Sequence, residues 1–202
     1  MKVDFFFDYS SPWTYLAYTR VEETCARQEA EVEWRPILVG GIFNTVNPSV
    51  YESRSDPVPA KARYLKKDLG DWAKHYGLEI LFPPSVFPVN SVKALRGALV
   101  ALEHGRFRPY SDRIFEIYWS DDQDISQDAV LERVLDEVGL DRAEYFAKIG
   151  SQPYKDRIRA NTDECIARGG FGSPTIFVGD EMYFGNDRLM LVEAELARRR
   201  GA

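Results

Sequence analysis

Two short segments at opposite ends of the chain constrain its fold more than any other feature. Near the start, Val3–Asp8 (Val-Asp-Phe-Phe-Phe-Asp) runs into Tyr9-Ser10-Ser11-Pro12-Trp13-Thr14. The first run is short, apolar and aromatic, the pattern of a buried strand. Pro12 then falls in the first turn of a helix, where its missing N–H costs nothing. Near the end, Gly172-Ser173-Pro174-Thr175 leads into a second apolar run. A cis Pro174 there would turn the chain so that Ser173 presents its backbone N–H and C=O. Those two groups can pair with an extended peptide as an added strand does.

The elements between them follow from periodicity. Trp13, Leu16, Ala17 and Val21 mark the buried face of a helix reaching about Arg27, and Glu31–Leu38 reads as a second strand. Two strands joined by a crossover helix make a parallel βαβ unit. Gly40-Gly41 closes the sheet-like part, and from there to about Arg168 almost no strand signal appears. Helices are expected at about 60–76, after Asn90 to near Gly105, and at 110–119, 129–138, 142–149 and 154–168. Gly77 and Gly139 stand as helix terminators. Thr175–Val178 and Met182–Phe184 form a hairpin about Gly179-Asp180. A last helix runs from about Asp187 to Arg199. The order β-α-β, many helices, β-β-α resembles an α/β thioredoxin-like (DsbA-like) fold split by an all-helical insertion. The expected partition is 1–40 with 169–202 for the thioredoxin-like part and 41–168 for the insertion, packed against each other because no flexible linker is visible.

Composition narrows the class. Forty-five per cent apolar residues can fill a core, and a net charge of −6 argues against nucleic acid as a partner. The run Arg198-Arg199-Arg200 suits a helix C-terminus. No apolar stretch is long enough for a bilayer, and a strand begins within two residues, so a cytoplasmic location is expected. Cys25 and Cys165 fall inside helical patterns far from Ser11, as free thiols. His75 and His104 have no partner at ligand spacing, so no metal site is expected.

In a thioredoxin-type site the reactive sulfur sits at the helix N-terminus facing a cis-proline loop. Here Ser11 and Thr14 stand where Cys-x-x-Cys would, so the thiol must come from elsewhere, and glutathione is the natural source. A helix N-terminus favours an anion, and a thiolate held there has a lowered pKa. The plain alternative is that Ser10 or Ser11 caps the helix. Gly185-Asn186-Asp187-Arg188 combines a carboxylate, an amide and helix N–H groups, a set able to hold an amino-acid head or simply to cap a helix. Lys61, Tyr64 and Asp68 share one helix face, which a solvated surface would equally explain. Asn47 is ambiguous alone. A serine hydrolase is disfavoured because the Gly-x-Ser-x-Gly setting is missing.

Taken together, Phe7 to Leu16, Pro59 to Leu69, Phe87-Pro88-Val89-Asn90-Ser91, Gly170 to Thr175 and Phe184 to Leu189 resemble the 2-hydroxychromene-2-carboxylate isomerase family, kin of kappa-class glutathione transferases. The resemblance covers essentially the whole chain. It implies an enzyme in which Ser11 meets the glutathione sulfur and Ser173, beside Pro174, pairs with the cysteinyl backbone. It further implies that Gly185, Asn186 and Asp187 hold the γ-glutamyl group, while Asn47, Lys61 and Tyr64 line the site from the helical insertion. A homodimer is implied, with Asp68 toward the partner's site, and a small electrophile as substrate. The implied reaction is reversible addition of the thiolate to an electron-poor double bond, rotation, and elimination. One departure stands out. The family usually reads Gly-Ile-Phe-Lys, its lysine placed to meet an acidic substrate; this chain reads Gly41-Ile42-Phe43-Asn44, and the loop to Asn47 is one residue shorter. A conjugating transferase using the same thiolate, and a non-catalytic thiol-binding module, are the competing readings. A disulfide oxidoreductase is disfavoured, since neither Ser11 nor Thr14 can form a disulfide.

Overall fold

The computed structural model describes residues 1–201. Strand β1 (Lys2–Phe7) leads through helix α1 (Pro12–Ala26) to β2 (Glu31–Pro36), which pairs with β1 in parallel from Lys2↔Glu31 to Phe7↔Pro36. Eight helices follow: α2 (Val39–Val46), α3 (Ser49–Ser55), α4 (Pro59–Tyr76), α5 (Val92–Glu103), α6 (Phe107–Trp119), α7 (Asp128–Val138), α8 (Arg142–Gly150) and α9 (Gln152–Ala167). The chain then returns to the sheet as the hairpin β3 (Thr175–Val178) and β4 (Glu181–Phe184). A 3-10 turn (Asn186–Arg188) and α10 (Leu189–Arg200) complete it. The strand order is β2-β1-β3-β4, with β3 antiparallel to β1 and β4 antiparallel to β3. This is the α/β thioredoxin-like arrangement with helices inserted between β2 and β3.

Alternation along β1 divides the core. Phe5 and Phe7 belong to the main cluster, together with Tyr18 of α1 and residues of α5, α6 and α10. Phe6 belongs to a second cluster with Ile42 of α2, Cys165 of α9 and Phe177 of β3. Successive strand residues point to opposite faces, so each face of the sheet has its own helices. The main cluster is continuous from the strands into α5–α8. The inserted helices therefore pack directly on the sheet. On the other face, Asp4 is bonded by Arg35 at 3.4 Å and Arg168 at 2.8 Å, which places cations beside the carboxylate in the sheet centre.

Gly77 and Gly139 follow α4 and α7 as the sequence suggests, and Arg198 and Arg199 in the last turn of α10 pair with Glu195. The interval 39–55 differs from expectation. Gly40-Gly41 does not close the sheet segment in a loop but lies inside α2, and α3 follows at once. The reason is packing. A Cβ built on Gly41 lies 3.6 Å from Thr162 Cγ2, so the helix runs close against α9. The last helix also starts later than expected, at Leu189, because Asn186–Arg188 take a 3-10 turn.

Candidate functional site

The strongest convergence of polar groups lies where α1 begins. Ser11 is the N-cap of α1, with extended backbone, and its Oγ accepts from the Thr14 N–H at 3.2 Å. The same hydroxyl donates to the Ser173 carbonyl at 2.8 Å. Thr14 Oγ1 and Ser173 Oγ are 2.7 Å apart, and Ser173 Oγ also accepts from the Asp8 N–H at 2.8 Å. The two segments from opposite ends of the chain are thus joined by three hydroxyl-mediated hydrogen bonds, and the Ser173–Pro174 peptide is cis. Pro12 has no N–H and the Thr14 N–H is taken by Ser11, so the Trp13 N–H remains as a helix N-terminal donor without a protein acceptor. The Ser173 N–H likewise meets no acceptor among the described residues.

Asp8 organises this corner, a role the sequence did not reveal. It is 1% exposed, and Oδ1 accepts from Ser10 N–H (2.9 Å), Ser10 Oγ (2.9 Å) and Ser91 Oγ (2.7 Å). Oδ2 accepts from the Val39 N–H at 2.9 Å. Burial pushes its pKa above the ordinary carboxylate value, against the lowering effect of these four donors. One carboxylate therefore ties β1, α1, α2 and the start of α5 together. In the sequence Asp8 is only the polar end of a strand, and Ser91 lies too far along the chain to suggest the bond.

In front of this corner is a cleft of about 420 Å³. Its floor carries Ser10, Ser11 and Ser173, and its walls are largely apolar, including Trp13, Phe43, Phe82, Phe87, Phe171 and Phe184. Phe171 and Phe184 pack at 4.4 Å between ring centroids. Gly172 is required beneath them, since a Cβ there would lie 2.8 Å from Phe184. Asn47, at the end of α2, also lines the cleft. Its amide donates to the Phe171 carbonyl at 3.0 Å, bracing the loop that carries Ser173.

The remaining expected site residues divide. Gly185 donates to the Pro174 carbonyl at 3.2 Å, and its φ of 96° requires glycine. Asn186 and Asp187, next in sequence, do not line the cleft above. They line a separate cavity of about 270 Å³ with Arg20, Trp72 and Tyr76. Asn186 is 3% exposed and its Nδ2 is buried without a partner, while Asp187 is paired with Arg188. Lys61 and Tyr64 reach neither cavity; both are exposed, Tyr64 at 64%, and Leu65 is the residue of that helical turn at the cleft. The buried face of α4 begins only at Leu69 and Ala73, so the first turns project from the molecule.

Cys25 and Cys165 are buried and free, and burial pushes their thiols up to about 12 and about 11. Neither lines either cavity. Among the described residues no group of three metal-ligating side chains occurs, and no helix is long and apolar enough to cross a membrane.

Known proteins share this fold. Residues 2–197 match the family model of the DSBA-like thioredoxin domain. The chain is 30% identical over 198 residues to the 2-hydroxychromene-2-carboxylate isomerase of Pseudomonas putida, covering 98% of this chain and 95% of the relative. It is 27% identical over 220 residues to glutathione S-transferase kappa 2 of Caenorhabditis elegans, covering 96% of this chain and 91% of that one. A solved structure of a 2-hydroxychromene-2-carboxylate isomerase superposes with a TM-score of 0.82 at 28% identity, over 98% of this chain and 96% of the other.

Proposed function

We propose that this chain, which belongs to the 2-hydroxychromene-2-carboxylate isomerase family within the DsbA-like thioredoxin domains, is a glutathione-dependent isomerase of an aromatic-derived unsaturated substrate. One observation carries the reading. The helix N-terminus and the cis-proline loop are joined as a thiol site requires, but by hydroxyls, with Ser11 Oγ on the Ser173 carbonyl at 2.8 Å and both cysteines buried elsewhere.

The residues present fit glutathione. Among the described residues the Trp13 and Ser173 N–H groups meet no acceptor, and the buried Asn186 Nδ2 meets no partner. A buried unpaired donor costs about 1–3 kcal/mol, which an incoming acceptor would offset. Glutathione held here would supply a thiolate nucleophile for reversible addition to an electron-poor double bond, the chemistry that allows its isomerisation. Ser11 Oγ, at the N-cap of α1, would donate to the sulfur. The Trp13 N–H and the α1 dipole favour the thiolate over the thiol. The Ser173 carbonyl and N–H would pair with the cysteinyl backbone. Asn186 and Asp187 would hold the γ-glutamyl head, with the Asn186 amide available to donate to its carboxylate. Asp8 holds Ser10, Ser91 and Val39 in place and so keeps the floor of the cleft fixed. The apolar walls shelter the reacting atoms from water.

A conjugating transferase has specific support in the kappa-class relative and would use the same residues. The two activities differ in glutathione balance. Incubated with glutathione and an aryl enone of defined geometry, the protein is expected to change the alkene geometry while total thiol stays constant. Thiol loss equal to substrate loss would instead establish the transferase. No change in either would refute both. A homodimer belongs to the same proposal, with the projecting turns of α4, which carry exposed Val58, Tyr64 and Leu65, as a surface for a second copy.

A further inference from the structure

We infer that Arg54 selects the substrate, favouring an aromatic electrophile that carries an anionic group away from its reacting carbon. The inference deepens the isomerase reading and rests on it. Only two residues lining the cleft bear a formal charge, Asp8 and Arg54. Asp8 is buried and its oxygens are occupied by four donors, so it reads nothing in the cleft. Arg54, on α3, is exposed and stands over two of the aromatic walls. Its guanidinium carbon lies 5.5 Å from the Phe43 ring centroid and 5.6 Å from that of Phe87. No carboxylate pairs with it among the described residues. The nearby Asn44 offers no competing charge, and its Oδ1 already accepts from the Tyr51 hydroxyl at 2.8 Å.

Two aromatic contacts hold the guanidinium beside the cleft while leaving its N–H groups free. A planar cation so placed suits a carboxylate, which it can engage bidentately. Ser11 and Arg54 both line the cleft, and its other lining residues are mainly aromatic and aliphatic. Such a lining fits an aromatic body that carries both a reactive alkene and an anion.

The test compares two enones differing in one charge: 4-phenylbut-3-en-2-one and its analogue with a carboxylate at the ring para position. The ratio of kcat/KM, charged over neutral, is measured for the wild type, Arg54→Ala and Arg54→Lys at saturating glutathione. Arg54→Ala is expected to lower this ratio about tenfold, the value of one charge-assisted hydrogen bond, mainly through KM of the charged enone. Arg54→Lys keeps the charge and is expected to hold the ratio above that of the alanine variant. A fall of less than about threefold in Arg54→Ala, or a lysine variant no better than alanine, overturns the inference. Calorimetric binding of the two enones to glutathione-free protein separates this from failure of the isomerase reading. If neither enone is turned over but the alanine variant loses its preference for the charged one, Arg54 stands and the isomerase reading falls. If that preference is unaffected, Arg54 falls.

Discussion

Replacing Ser11 by alanine removes one hydroxyl with two duties, and the two can be measured separately. In the resting structure Ser11 Oγ accepts from the Thr14 N–H at 3.2 Å and donates to the Ser173 carbonyl at 2.8 Å. Loss of an N-cap serine costs about 1 kcal/mol. The buried Ser173 carbonyl left without its donor costs about 1 kcal/mol more. The sum, about 2 kcal/mol, should lower Tm by roughly 4–8 °C in a chain of this size. In the proposed reaction the same hydroxyl would donate to the thiolate, and one donor aimed at the reacting charge is worth about 3 kcal/mol. Ser11→Ala should therefore lower kcat at saturating glutathione at least about tenfold and up to about a hundredfold. Ser11→Thr, which keeps an Oγ, should retain more of both properties. Calorimetry and initial rates read the two effects. A variant with the expected fall in Tm but unchanged kcat would leave Ser11 as a helix cap alone and refute its part in the chemistry. A variant unchanged in both would refute the hydrogen bonding itself.

Other outcomes follow from the same structure. Asp8→Asn leaves one acceptor oxygen where two are used, so the Val39 N–H or the Ser10 and Ser91 donors lose their partner; chemical denaturation should show a loss of about 1–3 kcal/mol. Burial raises the Asp8 pKa above its unfolded value, so its contribution to stability is full below the unfolded pKa and declines as pH climbs through the folded one. The stability–pH curve of Asp8→Asn should lack that decline, and a parallel curve would show that Asp8 does not titrate in this way. Cys25 and Cys165, with thiols pushed up to about 12 and about 11, should resist an aromatic disulfide reagent at pH 8 until denaturant is added; labelling of the native protein would contradict their burial. Sedimentation should give twice the chain mass of 23.2 kDa, and a monomer would remove the dimer from the proposal.

The elements legible in the sequence were those whose signal is local. The aromatic run of β1, Pro12 in the first turn of α1, and the glycines after α4 and α7 each state their structure within a few residues. The Ser11–Ser173 pairing was legible because both halves carry proline signatures, although they meet only in the folded chain. Helices α2 and α3 were hidden because Gly40-Gly41 has poor helix propensity and Pro48 interrupts the pattern. The helicity of α2 goes with its packing, since Val39 and Ile42 are buried and Gly41 lies against Thr162 of α9. Lys61 and Tyr64 do share a helix face, but periodicity does not say toward what that face is turned. Asp8 with Ser91, and Arg54 with Phe43 and Phe87, are contacts between distant segments without a local signature. That is why the organising carboxylate and the cleft's exposed cation emerged only from the structure.

The central claim, a thiol site served by hydroxyls and filled by glutathione, is tested most directly by a crystal structure of the protein with glutathione. The account predicts the sulfur within hydrogen-bonding distance of Ser11 Oγ, the cysteinyl backbone paired with Ser173, and the γ-glutamyl head at Asn186 and Asp187. A sulfur bound away from Ser11, or a cleft that takes up no tripeptide at saturating concentration, would contradict it.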